Sequence, residues 1–109
     1  MVKINGTTIE MTKGDTLRAY IGLAYDDGTE YIPSSNDHIR FAMKRKYGDN
    51  SPQILKDIPT DTLALVINPS DTKYLPTGDY VYDIEITFAN GDVDTFINEA
   101  KFKIREEVY

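Results

Sequence analysis

The segment that most constrains this chain is a strict two-residue alternation. Tyr80, Tyr82, Ile84, Ile86 and Phe88 share one parity, and Val81, Asp83, Glu85 and Thr87 share the other. Successive side chains of a strand point to opposite faces, so this order makes one apolar face and one wet face. On a helix the same residues would scatter around the axis. The period recurs in Thr7, Ile9 and Met11, in Leu17, Ala19, Ile21 and Leu23, in Ile39, Phe41 and Met43, and in Leu63, Leu65 and Ile67. A helical period is hard to find anywhere.

Turn-forming residues separate these stripes. They are Lys13-Gly14-Asp15, Asp26-Asp27-Gly28, Pro33-Ser34-Ser35-Asn36-Asp37, Gly48-Asp49-Asn50-Ser51-Pro52 and Pro69-Ser70-Asp71. Tyr31-Ile32 reads as a short strand, and Gln53-Ile54-Leu55-Lys56 as a short edge strand ending near Pro59. Roughly seven to nine short strands at this spacing predict an all-β fold, an antiparallel β-sandwich. The one place for a helical turn is Ser70 to Tyr74. The expected core holds Leu17, Ile21, Ile39, Phe41, Leu65, Tyr82, Ile84 and Ile86. No linker or repeat divides residues 1–109, which read as a single domain.

Asn90-Gly91 follows the strongest strand directly. Both residues tolerate positive φ, as a two-residue type I′ hairpin requires. That loop pairs Phe88 with Val93, Ile86 with Thr95 and Ile84 with Ile97, all on the apolar face. The stripe then changes parity from Val93 and Ile97 to Phe102 and Ile104, which calls for a bulge near Asn98-Glu99.

The same register gathers Asp83, Glu85, Asp92 and Asp94 on the solvent side. An acidic face can hold a cation or a basic partner, but a solvated strand face is the simpler reading. Lys44-Arg45-Lys46-Tyr47 is the one basic cluster, and its alternation suits a charged edge strand better than a nucleic-acid site. With 18 acidic against 12 basic residues and a net charge of -6, the average surface repels a phosphate backbone. We therefore expect no nucleic-acid partner. No apolar run reaches membrane-spanning length. The opening Met1-Val2-Lys3-Ile4-Asn5-Gly6 has no hydrophobic signal core, so the chain reads as made and folded in the cytosol.

The absence of Cys rules out disulfides, thiolate metal sites and thiol nucleophiles. His38, the single histidine, stands at a strand start beside Asp37 and reads as a surface residue. No nucleophile elbow, zinc-binding His pair or phosphate loop is present. The residues thus point to no enzyme, no cofactor and no metal. Eight Tyr in 109 residues is a high content. Tyr joins apolar area to a polar tip, which suits interfaces, although β proteins favour Tyr in any case. The candidates for an interaction surface are Tyr20, Tyr25, Tyr31 and Tyr47, together with Asp83, Glu85 and Asp94.

Gly78-Asp79-Tyr80-Val81-Tyr82 resembles the stretch that precedes the second sheet-bridging Cys of immunoglobulin domains. The resemblance makes Tyr80 the corner tyrosine, its hydroxyl turned back onto the backbone between about Asp71 and Gly78. Tyr82 would stand where that Cys stands. A second resemblance covers most of the chain. Met11-Thr12-Lys13-Gly14-Asp15-Thr16, Asp27-Gly28, Ile39-Arg40-Phe41 with Lys44, Tyr80 to Ile86, Asn90-Gly91 and Phe102-Lys103-Ile104 look like small phage and prophage proteins of Gram-positive bacteria. The first two of these elements are similar to the N-terminal domain of phage baseplate upper proteins.

These resemblances imply an immunoglobulin-like β-sandwich that serves as a virion structural protein. It would assemble in the host cytoplasm and then reside in a tail or baseplate. Its partners would be other tail or baseplate proteins, with homo-oligomerisation left open. Edge strands and Tyr-bearing faces would make the contacts. The alternative is an immunoglobulin-like adhesion or binding module of a bacterial surface protein.

Overall fold

The computed structural model describes residues 8–46 and 48–106, with the backbone alone at 96 and 98. In it the alternating segments become β1 (Ile9–Thr12), β2 (Leu17–Tyr20), β3 (His38–Lys44), β4 (Ile54–Ile58), β5 (Ala64–Ile67), β6 (Gly78–Thr87) and β7 (Val93–Arg105). One helical turn, α1 (Pro69–Thr72), follows β5. The strands form a five-stranded sheet in the order β1-β7-β6-β3-β4 and a two-stranded sheet of β2 and β5. This is an all-β sandwich of immunoglobulin-like connectivity. Strands β3, β6 and β7 neighbour one another in one layer, and β2 and β5 pair in the other.

The sheet is not wholly antiparallel. Strand β1 runs parallel to β7, with Ile9 opposite Phe102 and Met11 opposite Ile104. Its sequence neighbour β2 belongs to the other sheet, so no hairpin sets the direction of β1. The expected strand at Tyr31-Ile32 does not form. That stretch contributes only the N–H of Tyr31 to the carbonyl of Leu23, beside an isolated Ala24–Glu30 bridge.

One apolar cluster fills the space between the layers. Ile39, Phe41, Leu65, Tyr82, Ile84 and Ile86 are buried in it as expected, while Leu17 and Ile21 pack at its margin half-buried. Phe41, Tyr82 and Phe102 stack within 5.3–6.2 Å of one another. Helix α1 falls in the anticipated connection because Pro69 presets its first turn and Asp71 accepts the N–H of Asn68 at 2.7 Å. The buried Thr72 then accepts the N–H of Gly14 at 2.9 Å, tying this connection to the β1–β2 turn.

The hairpin after β6 is not a two-residue type I′ turn. Gly91 donates to the carbonyl of Phe88, and Phe88 donates to that of Asp92, both at 2.8 Å. Of the two predicted positive-φ residues, only Gly91 has one, at +94°. This is a longer loop with a glycine bulge. Asn90 does not take positive φ, and its side-chain oxygen accepts the N–H of Asp92 at 2.9 Å. The extra residue moves the register by one. Val93 lies opposite Thr87 and is 59% exposed, and Asp94 lies opposite Ile86.

Further along β7 the register slips again, from Glu85–Thr95 to Ile84–Ile97 and then to Tyr82–Ala100. The bulge expected near Asn98-Glu99 is therefore present. Glu99 takes φ +56° there and donates its N–H to Asp83 Oδ1 at 2.8 Å. These slips turn Phe102 and Ile104 into the core.

Candidate interaction surface

The two-stranded sheet places its side chains by register. Leu17 opposite Ile67 and Ala19 opposite Leu65 face the core, so Arg18 opposite Val66 and Tyr20 opposite Ala64 face outward. Tyr20 is 71% exposed, as its off-stripe position led us to expect. Its ring borders a trough of about 460 Å³ between the outer face of this sheet and β4. Arg18, Ala64 and Val66 line one wall, and Lys56 and Pro59 line the other. Lys56 is held by Asp71 at 2.8 Å. Arg18, Val66 and Pro59 were missed as site residues. The available signal was Val66 itself, an apolar residue at an outward position of its stripe.

The other tyrosines do different work. Tyr31 is not a surface residue. It is half-buried, stacked edge-on against Tyr25 at 5.3 Å and Phe88 at 5.8 Å. Its hydroxyl donates to Asp37 Oδ2 at 2.6 Å. Burial, then this bond, push the Tyr31 hydroxyl up to about 12. The buried Asp37 also accepts the N–H of Ser34 at 3.0 Å and of Ala89 at 3.1 Å. Burial alone would raise this carboxyl, but the bonds from Tyr31, Ser34 and Ala89 together hold it below its ordinary value. Asp37 thereby pins the loop before β3 to the tip of the β6–β7 hairpin. Tyr25, at 43% exposed, is the outermost ring of that cluster. Tyr47 lies outside the described residues.

The expected acidic face is not assembled. Glu85 pairs with Arg40 at 2.9 Å, and Asp83 is taken up by the Glu99 bulge. The register shift moves Asp94 away from that face, opposite Ile86. Among the described residues no group of three or more His, Asp or Glu side chains gathers to hold a metal ion. His38 is exposed at the start of β3, opposite Thr87. Lys44 and its neighbours do not guard an edge. Strand β3 lies inside the sheet, and the edge strand is β4.

Arg45 serves Tyr80. Its guanidinium lies 5.3 Å from the ring centroid and donates to the hydroxyl at 3.2 Å. The Tyr80 hydroxyl in turn donates to the carbonyl of Pro76 at 2.6 Å, as the immunoglobulin resemblance implied. Gly78, at φ +137°, lets the chain enter β6 directly after this corner. Tyr82 is buried against Phe41, at the position the resemblance gives to a Cys.

The fold is a small all-β, sandwich-like domain made of a five-stranded mixed sheet and a two-stranded sheet. Comparison with models of protein families and with curated proteins finds no match.

Proposed function

We propose that this protein is a non-catalytic assembly module that works through protein–protein contact at the outer face of its small sheet. One observation carries the reading. Tyr20 stands 71% exposed beside a trough lined in part by apolar Ala64 and Val66. A tyrosine in that position offers large contact area with few rotors to immobilise, which is why interfaces are rich in it. The motif resemblance to phage tail and baseplate proteins supports a virion as the setting. Other tail proteins are then the partners, with assembly in the host cytoplasm.

The test is a photo-crosslinking amino acid installed at position 20 in cells that produce the protein. Mass spectrometry of the adduct and of purified particles is the readout. We expect an adduct with a tail or baseplate protein and recovery of this chain from the particles. Absence from particles, with the adduct formed instead to a bacterial surface component, overturns the phage setting. Absence of any protein adduct overturns the contact.

A further inference from the structure

The tip of the β6–β7 hairpin carries a pair of residues that can react with each other. In an Asn-Gly pair the main-chain nitrogen of the glycine can attack the side-chain carbonyl carbon of the asparagine, and the glycine has no Cβ to obstruct the ring that forms. The chain has two such pairs, Asn5-Gly6, outside the described residues, and Asn90-Gly91. Residues 89–92 are all exposed, so water reaches the second pair.

The atoms that would react are nonetheless engaged. The Gly91 N–H, which must lose its proton before the nitrogen can attack, donates to the Phe88 carbonyl at 2.8 Å. Asn90 Oδ1 accepts the Asp92 N–H at 2.9 Å. Asn90 Nδ2, the leaving group, donates to Asp92 Oδ2 at 3.3 Å. Ring closure breaks the first bond and swings the carboxamide out of the other two. The folded hairpin therefore withholds the reaction, which proceeds from a tip that has opened. Two contacts from another segment oppose that opening. The Ala89 N–H donates to Asp37 Oδ1 at 3.1 Å, and the Phe88 ring stacks on Tyr31 at 5.8 Å.

We propose that Asn90 is a site of spontaneous deamidation, that the hairpin and its Asp37 junction hold it back, and that its conversion irreversibly releases that junction.

Water is the only co-reactant. The Gly91 nitrogen gives its proton to solvent and bonds to Asn90 Cγ. The Cγ–Nδ2 bond breaks, and Nδ2 takes up a proton and departs as ammonia. Water then adds to either carbonyl carbon of the five-membered imide. Opening on one side leaves an ordinary aspartate at position 90. Opening on the other leaves an isoaspartate, whose main chain runs through Cγ. No oxidation state changes.

Both products disturb the tip. Aspartate replaces the Nδ2 donor with a charged oxygen facing the Asp92 carboxylate, which it repels. Isoaspartate adds one carbon to the main chain between Ala89 and Gly91, so the bonds between Phe88 and residues 91 and 92 no longer close at their present spacing. Ala89 lies within this turn, so its N–H loses its aim at Asp37. Ammonia is lost to solvent, which makes the change one-way.

The test follows position 90 in the full chain by peptide mapping in ¹⁸O-labelled water, which marks each conversion. The blocked peptide acetyl-Phe-Ala-Asn-Gly-Asp-Val-amide is the reference, in the same mildly alkaline buffer. We expect the peptide to convert about tenfold faster than the folded chain, or more, because only the locally opened tip reacts. Asp37→Ala should speed conversion several-fold while circular dichroism shows the variant folded. Tyr31→Phe removes one bond to Asp37, should speed conversion less, and serves if Asp37→Ala does not fold. After conversion the Ala89 amide should lose protection from hydrogen exchange and the urea midpoint should fall. Asn90→Gln, aged identically, should keep its Ala89 protection and its midpoint, because glutamine closes the corresponding ring far more slowly.

Equal rates in the chain and the peptide overturn the protection. An unchanged rate in the folded variants overturns the hold of Asp37. Unaltered Ala89 exchange in the converted chain overturns the release. No conversion at position 90 in urea-unfolded chain overturns the site itself.

Discussion

Asp37 and Ala89 are 52 residues apart in sequence, yet the Ala89 N–H donates to Asp37 Oδ1 at 3.1 Å. With Tyr31 on its other oxygen, this carboxylate joins two loops at one end of the sandwich. Neither loop has a sheet ladder of its own there, so the carboxylate supplies the order that backbone pairing supplies elsewhere.

The pH dependence of stability follows from that junction. The Asp37 carboxyl is held below its ordinary value in the folded chain. Its contribution is therefore complete above the unfolded value of about 3.9 and is lost as pH falls through the lower folded value. Tyr31 works in the opposite direction. Its hydroxyl is raised from 10.0 to about 12, so its contribution is complete below 10 and is lost between 10 and about 12 as the unfolded chain ionises. Urea titrations across both windows should show stability falling at each extreme. Asp37→Asn should flatten the acid limb and Tyr31→Phe the alkaline limb. Asp37→Asn should also cost roughly 1–3 kcal/mol at neutral pH, by weakening the three part-buried hydrogen bonds to this carboxylate.

The Tyr80 corner is a separable contribution. Its hydroxyl both donates to Pro76 and accepts from Arg45. Tyr80→Phe keeps the ring in the core and removes these bonds, so the urea midpoint should fall by the equivalent of about 0.5–1.5 kcal/mol. An unchanged midpoint would show the corner to be dispensable.

Phe41 and Ile84 are opposite one another on adjacent strands, and both are fully enclosed. Truncating either to Ala should cost about 2–5 kcal/mol in chemical denaturation, through lost burial and the cavity left behind. Because the two side chains are neighbours, the double variant should deviate from additivity.

Glu99 occupies a left-handed conformation at the β7 bulge, at φ +56°. Such a conformation costs a residue with a Cβ roughly 1–2 kcal/mol. Glu99→Gly should therefore raise the thermal midpoint. Asp83→Ala should lower it, because the Glu99 N–H loses its acceptor. Differential scanning calorimetry of both variants checks the pair of signs.

Much of this molecule is written in one-dimensional order. Period-2 stripes determined that Phe41, Tyr82, Ile84 and Ile86 face inward, because a strand allows only two directions for a side chain. The parity change after Ile97 similarly required the bulge at Asn98-Glu99, and Gly78-Asp79-Tyr80 carried the corner. What only the tertiary structure decided involves partners distant in the chain. The turn at Asn90, whose side chain accepts a nearby N–H, is longer than its dipeptide suggested, and that single residue moved Val93 and Asp94 to new faces. Tyr31 became internal because Asp37 and Phe88 converge on it from separate segments. The trough beside Tyr20 exists because β4 and β5 end one sheet and begin the other. Alternation determines which way a residue points within its own strand. Which strands lie next to each other, and so which outward residues share a surface, is set by packing the two sheets around a common core.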